Sequence, residues 1–444
     1  MTKSVAAQWD VLVVGGGLAG ISAVCRLAES GLKVRLVEQA LSLGGSVLRQ
    51  AVQGSDERLK GVHEPAWRTL MARLRCLRDR VDISLGVAFS GFDSTGSVVV
   101  VHAQAATHER LDPKAVILAT GATERVRPRL GWESPGVMTV GALQIMMKTS
   151  LRASQKRVLV AGSGPLLLAV GAQLTRMGQP PVAVVEAAHP FRHLIKSAQL
   201  PWRYWQEGAG YLATLLKAGV PIYQGHEVTR IGMTGESGLQ VTLERQGKTF
   251  RLATDYVALH DGIQPNNYGM RPDGQPLWRV AGDCSLALGA RAAAMHGELV
   301  ALDIIQQLSA HGAHSSQIKA QEDGLRQAIK KEEKAQKLLR EIYQVDEAAT
   351  LNALSPDTVI CRCEHKTLRD LGALGPDATN REIRLLGRFA MGACQGRFCS
   401  EWLNVIRGKT QTPEGLQLMG KHWPAKPISI QALVQEASEN KPTV

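Results

Sequence analysis

The chain has 444 residues, 44% of them hydrophobic and 21% charged, which is the composition of a soluble globular protein large enough for two or three domains. The net charge is +12, but Lys and Arg are interspersed with acids, as in KKEEKAQKLLRE at 330–341, and aromatic content is only 5%, so nucleic-acid binding is not expected. No apolar stretch reaches bilayer length and no signal-peptide pattern opens the sequence, so the expectation is a cytoplasmic protein whose seven cysteines are reduced.

In chain order, the first predicted element is an apolar strand, DVLVV at 10–14. Gly15, Gly17 and Gly20 follow in G-x-G-x-x-G spacing, then a helix, ISAVCRLAESG, and a second strand, KVRLVE at 33–38. Gly15 permits the tight turn. Gly17 lets a pyrophosphate approach the backbone at the helix N-terminus, and Gly20 lets helix and strand pack closely. Glu38 ends the second strand, where a carboxylate accepts hydrogen bonds from ribose hydroxyls and repels a 2′-phosphate. Strand, helix, strand and acid in this order predict a dinucleotide site, without separating FAD from NAD.

Residues 83–103 are β-rich, and KAVILATG at 114–121 is a buried strand ending in glycine. A second β-α-β unit runs from KRVLVAGSGP (156–165) to VAVVEA (182–187), with Gly162, Gly164 and Glu186. Leu167 stands where the third glycine belongs, and its bulk should spoil close packing or shift the helix. This second site is read as binding a nicotinamide nucleotide weakly, binding another nucleotide, or being vestigial. More β-type pieces fall near 220–260, then RVAGD at 279–283 and an alanine-rich helix. Residues 311–352 are polar, with Ile318, Leu325, Ile329, Leu338 and Ile342 at helical spacing, and read as a helical connector.

The last segment carries Cys361 and Cys363 in ICRCEHKTL, and Cys394 and Cys399 in GACQGRFCSEW. Four clustered thiolates in a reducing compartment suit an iron–sulfur cluster or zinc, although structural zinc usually takes two C-x-x-C-type knuckles. Arg362, Lys366, Arg388 and Arg397 would offset a cluster's negative charge, or are ordinary surface cations. Cys25, Cys76 and Cys284 are isolated, and no Cys-x-x-Cys for disulfide chemistry is present. Cys25 and Cys284 are expected as core thiols, His260 and His296 as core or surface histidines, and Trp132 as a packing aromatic.

Gly44 and Gly45, Thr120 and Gly121 in ATGATE, and Gly282 and Asp283 after the later strand together resemble the two-dinucleotide-domain flavoprotein reductases. That resemblance implies FAD at the first site, with Gly282 and Asp283 at its ribityl and phosphate region. The C-x-C and C-x4-C loops resemble the bacterioferritin-associated ferredoxin-like [2Fe-2S] domain over roughly 356–410. With ATGATERVRPRLGWESPGVMTVGA at 119–142, the whole order is similar to the larger (α) subunit of bacterial heteromeric amine and imino-acid dehydrogenases. These include opine oxidases, D-hydroxyproline and L-proline dehydrogenases, and hydrogen cyanide synthase.

The resemblance implies an α/β fold. An FAD domain is expected over 1–125 and 255–310, an inserted NAD-type domain over 126–254, a helical linker over 311–352, and a [2Fe-2S] domain with a tail over 353–444. It also implies partners: an amino-acid-oxidase-like β subunit that oxidises the C–N bond, FMN at a subunit interface, and a small ferredoxin-like γ subunit. A respiratory-chain acceptor would be reached from the cytoplasm or peripherally at the inner membrane. The competing readings are a self-sufficient NAD(P)H-dependent FAD/[2Fe-2S] reductase and a non-catalytic scaffold with a zinc knuckle.

Overall fold

Val11–Val14 is buried at every residue, as is Ala115–Leu118, a pattern that requires a sheet covered on both faces. The computed structural model describes residues 9–48, 64–149, 156–235, 238–267, 277–309, 316–408, 424–425 and 427–435. The first unit begins with β1 (Val11–Val14), α1 (Leu18–Glu29), β2 (Val34–Glu38), α2 (Glu64–Arg75) and β3 (Val81–Leu85). An antiparallel trio follows, β4 (Val87–Phe92), β5 (Val98–His102) and β6 (Thr107–Leu111), before β7 (Ala115–Leu118) returns to pair in parallel with β1.

Next, β8 (Ala122–Glu124) leads to β9 (Val137–Thr139), α3 (Val140–Thr149), β10 (Val158–Gly162), α4 (Leu166–Arg176) and β11 (Ala183–Glu186). Then come α5 (Leu194–Ser197), α6 (Trp202–Lys217), β12 (Ile222–Gln224), the antiparallel β13 (Glu227–Thr234), β14 (Gly238–Arg245) and β15 (Lys248–Thr254), and β16 (Tyr256–His260). This second parallel sheet has the order β12-β11-β10-β16-β9 among the described residues. The chain re-enters the first unit through β17 (Ile263–Pro265), antiparallel to β8, and β18 (Leu277–Val280), which completes the sheet β18-β7-β1-β2-β3. The return expected at residue 255 is thus displaced, because Tyr256–His260 pairs in parallel with β10 inside the second sheet. Strand alternation alone could not say which of two similar sheets this apolar run would join.

The remaining helices are α7 (Ala290–Leu308), α8 (Ser316–Ile342) and α9 (Glu347–Asn352). They are followed by β19 (Val359–Cys361), β20 (Lys366–Thr367), α10 (Leu368–Gly372), α11 (Asn380–Leu385) and α12 (Ser400–Ile406). Small residues let α7 lie directly on α1: a Cβ at Gly297 would overlap the Ala19 carbonyl oxygen. The connector's apolar stripe is real, with Ile329 and Ile342 buried. Its first residues, 311–315, and the tail from 436 lie outside the described residues.

A buried charge cluster joins the two crossovers between the units. Asp261 receives Arg127 N at 2.8 Å and the Arg129 guanidinium at 2.8 and 2.7 Å. Burial alone would raise the Asp261 carboxyl, but the Arg129 and Arg127 charges override it and hold it well below the usual range. A carboxyl depressed in this way contributes stability that is fully present above its unfolded value, and that is lost as the pH falls through the folded one. Asp261→Ala should therefore cost about 3–5 kcal/mol at neutral pH by stranding the buried Arg129 guanidinium and leaving Arg127 paired with Glu227 alone. Urea denaturation would show it, and the difference from wild type should shrink in strong acid.

Candidate functional site

The first glycine loop is shaped by backbone contact. A Cβ at Gly20 would overlap the Gly15 carbonyl oxygen, and one at Gly15 (φ +109) would overlap that of Ala119. Gly17 differs. It has an extended backbone (φ −82), caps α1, and its nearest neighbour is the Gly45 Cα, 3.8 Å from where a Cβ would be. Gly44 N donates to Gly16 O at 2.8 Å, so the Gly44–Gly45 turn lies against the loop, its backbone in contact with that of Gly17 at the N-terminus of α1. Beside this contact the N-terminus of α1 offers backbone amides and the positive end of the helix dipole, which suit a pyrophosphate.

Glu38 is buried at the end of β2 and braces this loop. Its two carboxylate oxygens accept from Gly16 N at 2.6 Å and Ala40 N at 2.8 Å. Each oxygen keeps a second lone pair, which a ribose hydroxyl could use.

The other predicted residues gather at the same end of the sheet. Thr120 Oγ1 donates to Asn266 O at 2.5 Å, and Gly121 (φ +71) has open space at its Cβ position. Gly282 (φ +67) packs against Ala19, and its N–H donates to His296 Nδ1 at 3.0 Å. That bond puts the proton of neutral His296 on Nε2, and burial lowers the ring's pKa in support of the neutral form. Asp283 Oδ1 accepts from Leu288 N (2.9 Å) and Gly289 N (3.0 Å), fixing the turn that starts α7. Asn266 carries no sequence signal, because no spacing links it to Thr120. His296, expected only as a core or surface histidine, holds the Gly282–Asp283 turn.

The second glycine loop is built differently. Helix α4 begins at Leu166 after Pro165, two residues beyond Gly164, whereas α1 begins immediately after Gly17. Pro165 precedes α4 with helical dihedrals, and Leu167, at the third glycine's place, is fully buried in one core cluster with Val140, Val158 and Val170. Glu186 braces Gly164 N (3.0 Å) and Ala188 N (2.9 Å). Its carboxyl is pushed up to about 7, by burial above all. From the far end of α8, the Tyr343 backbone reaches this loop, accepting from Ser163 Oγ at 2.8 Å. The Tyr343 phenol is raised by burial and, secondarily, by the Glu186 charge.

The C-terminal cysteines form a second centre. Cys361 and Cys399 are buried, Cys394 is half-buried and Cys363 is exposed. Their thiols meet in pairs, Cys361 with Cys363, Cys361 with Cys399, and Cys363 with Cys394. Among the described residues, no group of three or more His, Cys, Asp and Glu side chains takes the arrangement that holds a metal ion. Backbone amides point at the sulfurs: Ala390 N–H at Cys361, and Phe398 and Gly396 N–H at Cys394. Such donors favour thiolates. At Cys361 the hydrogen bond with Cys363 works in the same direction, but contact with Cys399 and burial push the free thiol up to about 11.

The backbone around these loops is strained. His365, Arg388, Ala390 and Gln395 all have φ between 49° and 64°, a region costly for side-chain-bearing residues. A Cβ at Gly392 would overlap that of Cys363, so this glycine lets the two cysteine loops close on one another.

Of the nearby cations, Arg388 pairs with Glu364 at 3.0 Å and Lys366 lies 3.9 Å from Asp370. Arg362 stacks on Trp132 at 5.1 Å, and Arg397 donates to Ala425 O. Trp132 is indeed buried, and its Nε1 donates to Val359 O at 2.6 Å beside the cluster. His260 is a core histidine bonded to Glu124 at 3.0 Å. Cys25 is buried and pushed up to about 11, and Cys284 is buried and raised, so neither is poised as a nucleophile.

The two centres meet along β17. Gln264 Nε2 donates to Arg397 O (2.8 Å) between Cys394 and Cys399, while Asn266 Nδ2 donates to Thr120 O (3.3 Å). Two residues of strand, about 7 Å, separate these anchors.

Comparison with known proteins agrees with this geometry. The model of the pyridine nucleotide-disulphide oxidoreductase family matches residues 9–281. The chain is 28% identical to an opine oxidase subunit from Agrobacterium tumefaciens (strain Ach5), over 96% of this chain and 91% of that protein. It is likewise 28% identical to hydrogen cyanide synthase subunit HcnB of Pseudomonas protegens, over 90% and 92%. Among solved structures, L-proline dehydrogenase from P. horikoshii shares the fold with a TM-score of 0.63 and 18% identity, over 96% of this chain and 79% of that one.

Gly17 and Gly20 can be told apart. Gly17→Ala should leave the flavin-free chain within about 0.5 kcal/mol of wild type while lowering its affinity for flavin. Gly20→Ala should destabilise the chain itself by roughly 1–3 kcal/mol. Denaturation of stripped protein and flavin titration together check both, and equal stability of the two variants would contradict the packing account.

Proposed function

Because this chain belongs to the pyridine nucleotide-disulphide oxidoreductase family, a family of flavin-dependent oxidoreductases, we propose that it is the electron-relaying subunit of a heteromeric dehydrogenase. The substrate would be a C–N bond of an opine, imino acid or amino acid, oxidised on a partner subunit. The observation that carries this reading is the β17 bridge, which ties the Cys394–Cys399 loop to the Thr120 turn of the first glycine site. A relay needs its two centres held at a fixed short separation, and one strand with a side-chain anchor toward each provides it.

FAD is the group that suits the first cradle, and a [2Fe-2S] cluster the four cysteines. When bound, the flavin would exchange two electrons with an organic donor and the cluster would pass them singly. The chain's own residues have distinct tasks. The Gly16–Gly17 backbone and the N-terminus of α1 would receive the pyrophosphate, and Glu38 the ribose. Gly282 and Asp283, held by His296 and by the start of α7, shape the opposite wall of the cradle. Cys361, Cys363, Cys394 and Cys399 would hold the cluster. The amides of Ala390, Gly396 and Phe398 would stabilise its thiolate sulfurs, as hydrogen bonds to sulfur tune such clusters.

The relatives named as subunits support the expectation of partners, here an amino-acid-oxidase-like β subunit, with FMN between the subunits and a small ferredoxin-like γ subunit. A respiratory-chain acceptor would take the electrons. The rival reading, a self-sufficient NAD(P)H reductase, needs an open second nucleotide loop. The Tyr343 carbonyl bonded to Ser163 in that loop and the buried Leu167 at its third glycine position both argue against it.

Anaerobic titration of the purified holoprotein with NADH and NADPH, then dithionite, tests this. Bleaching and a [2Fe-2S] EPR signal should come only with dithionite, and rapid bleaching by a nicotinamide would overturn the relay assignment. Cys394→Ser should retain flavin yet lose turnover with a one-electron acceptor in the reconstituted complex, and unchanged turnover would remove the cluster from the path.

A further inference from the structure

The most anomalous surface on the molecule lies away from both centres. Between Ala187 and Gln206 the sequence reads AAHPFRHLIKSAQLPWRYWQ, twenty residues without an acid. It leaves β11, forms α5 and enters α6. Ile195 is 85% exposed and Trp202 73% exposed, and Phe191, Leu194 and Trp205 are exposed with them. Soluble surfaces rarely gather large apolar side chains this densely without a partner.

The same segment forms one wall of a cavity of about 390 Å³, lined by His189, Phe191, Arg192, Tyr223, His226 and Arg245, among others. No acid lines it. Among the described residues, neither Arg192 nor Arg245 has an ion-pair partner, whereas Lys196 and Arg203 are neutralised by Glu341 and Glu332 of α8. The histidines are held in place. The His189 ring lies where a side chain at Gly225 (φ +65) would be. His226 Nδ1 donates to Gln224 O at 2.9 Å, which fixes its ring at the cavity wall.

We propose that this face docks on an anionic phospholipid surface. A lipid phosphate would sit in the cationic cavity while Leu194, Ile195 and Trp202 enter the headgroup–acyl boundary. Apolar residues including tryptophan, flanked by cations and free of acids, are what an interfacial segment requires, and each cation near an anionic leaflet strengthens the attraction. The chain's +12 charge acts in the same direction. The described residues contain no helix long and apolar enough to cross a membrane, so attachment here would be peripheral. The inference deepens the relay reading by locating the acceptor's side of the molecule, but its test needs no turnover, so each can fail without the other.

Holoprotein would be co-sedimented with vesicles of phosphatidylcholine alone and of phosphatidylcholine with phosphatidylglycerol, in low and high salt. Binding is expected to the anionic vesicles and to weaken with salt. It should fall at least tenfold in Ile195→Ser/Trp202→Ser and, separately, in Arg192→Gln/Arg245→Gln. All four residues are exposed or line an open cavity, so the cofactor spectrum should be unchanged and serves as the folding control. Equal binding to both vesicle types, or binding undiminished in either double variant, overturns the proposal. So does a patch that leaves vesicles alone and is instead buried against a co-purified protein subunit. Saturable binding of inorganic phosphate without vesicle binding would reassign the cavity to a free anion and overturn it as well.

Discussion

The arrangement of the molecule depends on one short segment, residues 125–132, and on the buried aspartate that receives it. The chain leaves the first sheet here and comes back through Asp261, so Arg127 and Arg129 closing on that carboxylate fix how the two units are joined. Buried ions are costly unless each is paired, and here two guanidiniums share a carboxylate with a backbone amide added. The same segment holds the cysteine unit. Arg125 reaches Glu347 and Glu401 and stacks on Trp402 at 4.4 Å, and Trp132 donates to Val359. Disturbing this clamp would move the two candidate redox centres relative to one another.

The two glycine loops share one plan and differ in detail. Both end in a buried glutamate that accepts two backbone amides. In the first, Gly20 lets α1 approach its strand and start directly at the loop. In the second, Leu167 needs core volume, the helix starts later, and the brace from Glu186 falls on Gly164 instead of on the middle residue of the loop. Tyr343 and Ser163 then connect the loop to the end of α8.

The cysteine loops hold their conformation at a cost in backbone strain, with four non-glycine residues at positive φ around four sulfurs. Strain of that kind persists only where surrounding contacts over-determine the backbone. One consequence is that Ala390 directs its amide at Cys361, as Phe398 and Gly396 direct theirs at Cys394. Donors placed this way lower the cost of a buried thiolate, the form in which cysteine binds iron or zinc.

Elements whose chemistry is local are legible in the order of amino acids. Apolar runs ending in glycine mark buried parallel strands. Gly15, Gly17, Gly20 and Glu38 mark a glycine turn braced by a carboxylate, and Cys361, Cys363, Cys394 and Cys399 mark thiols that gather, because turn geometry and paired loop spacings are read from near neighbours. Whatever depends on residues far apart in the chain required the folded molecule. Folding assigned Tyr256–His260 to the second sheet, brought the Tyr343 carbonyl to Ser163 of the second glycine loop, and linked the Cys394–Cys399 loop to the Thr120 turn through Gln264 and Asn266. It also separated the exposed Ile195 and Trp202 from the apolar residues that make the core. Sequence pattern records which side chains are apolar or reactive, but packing decides which of them meet and which remain facing solvent.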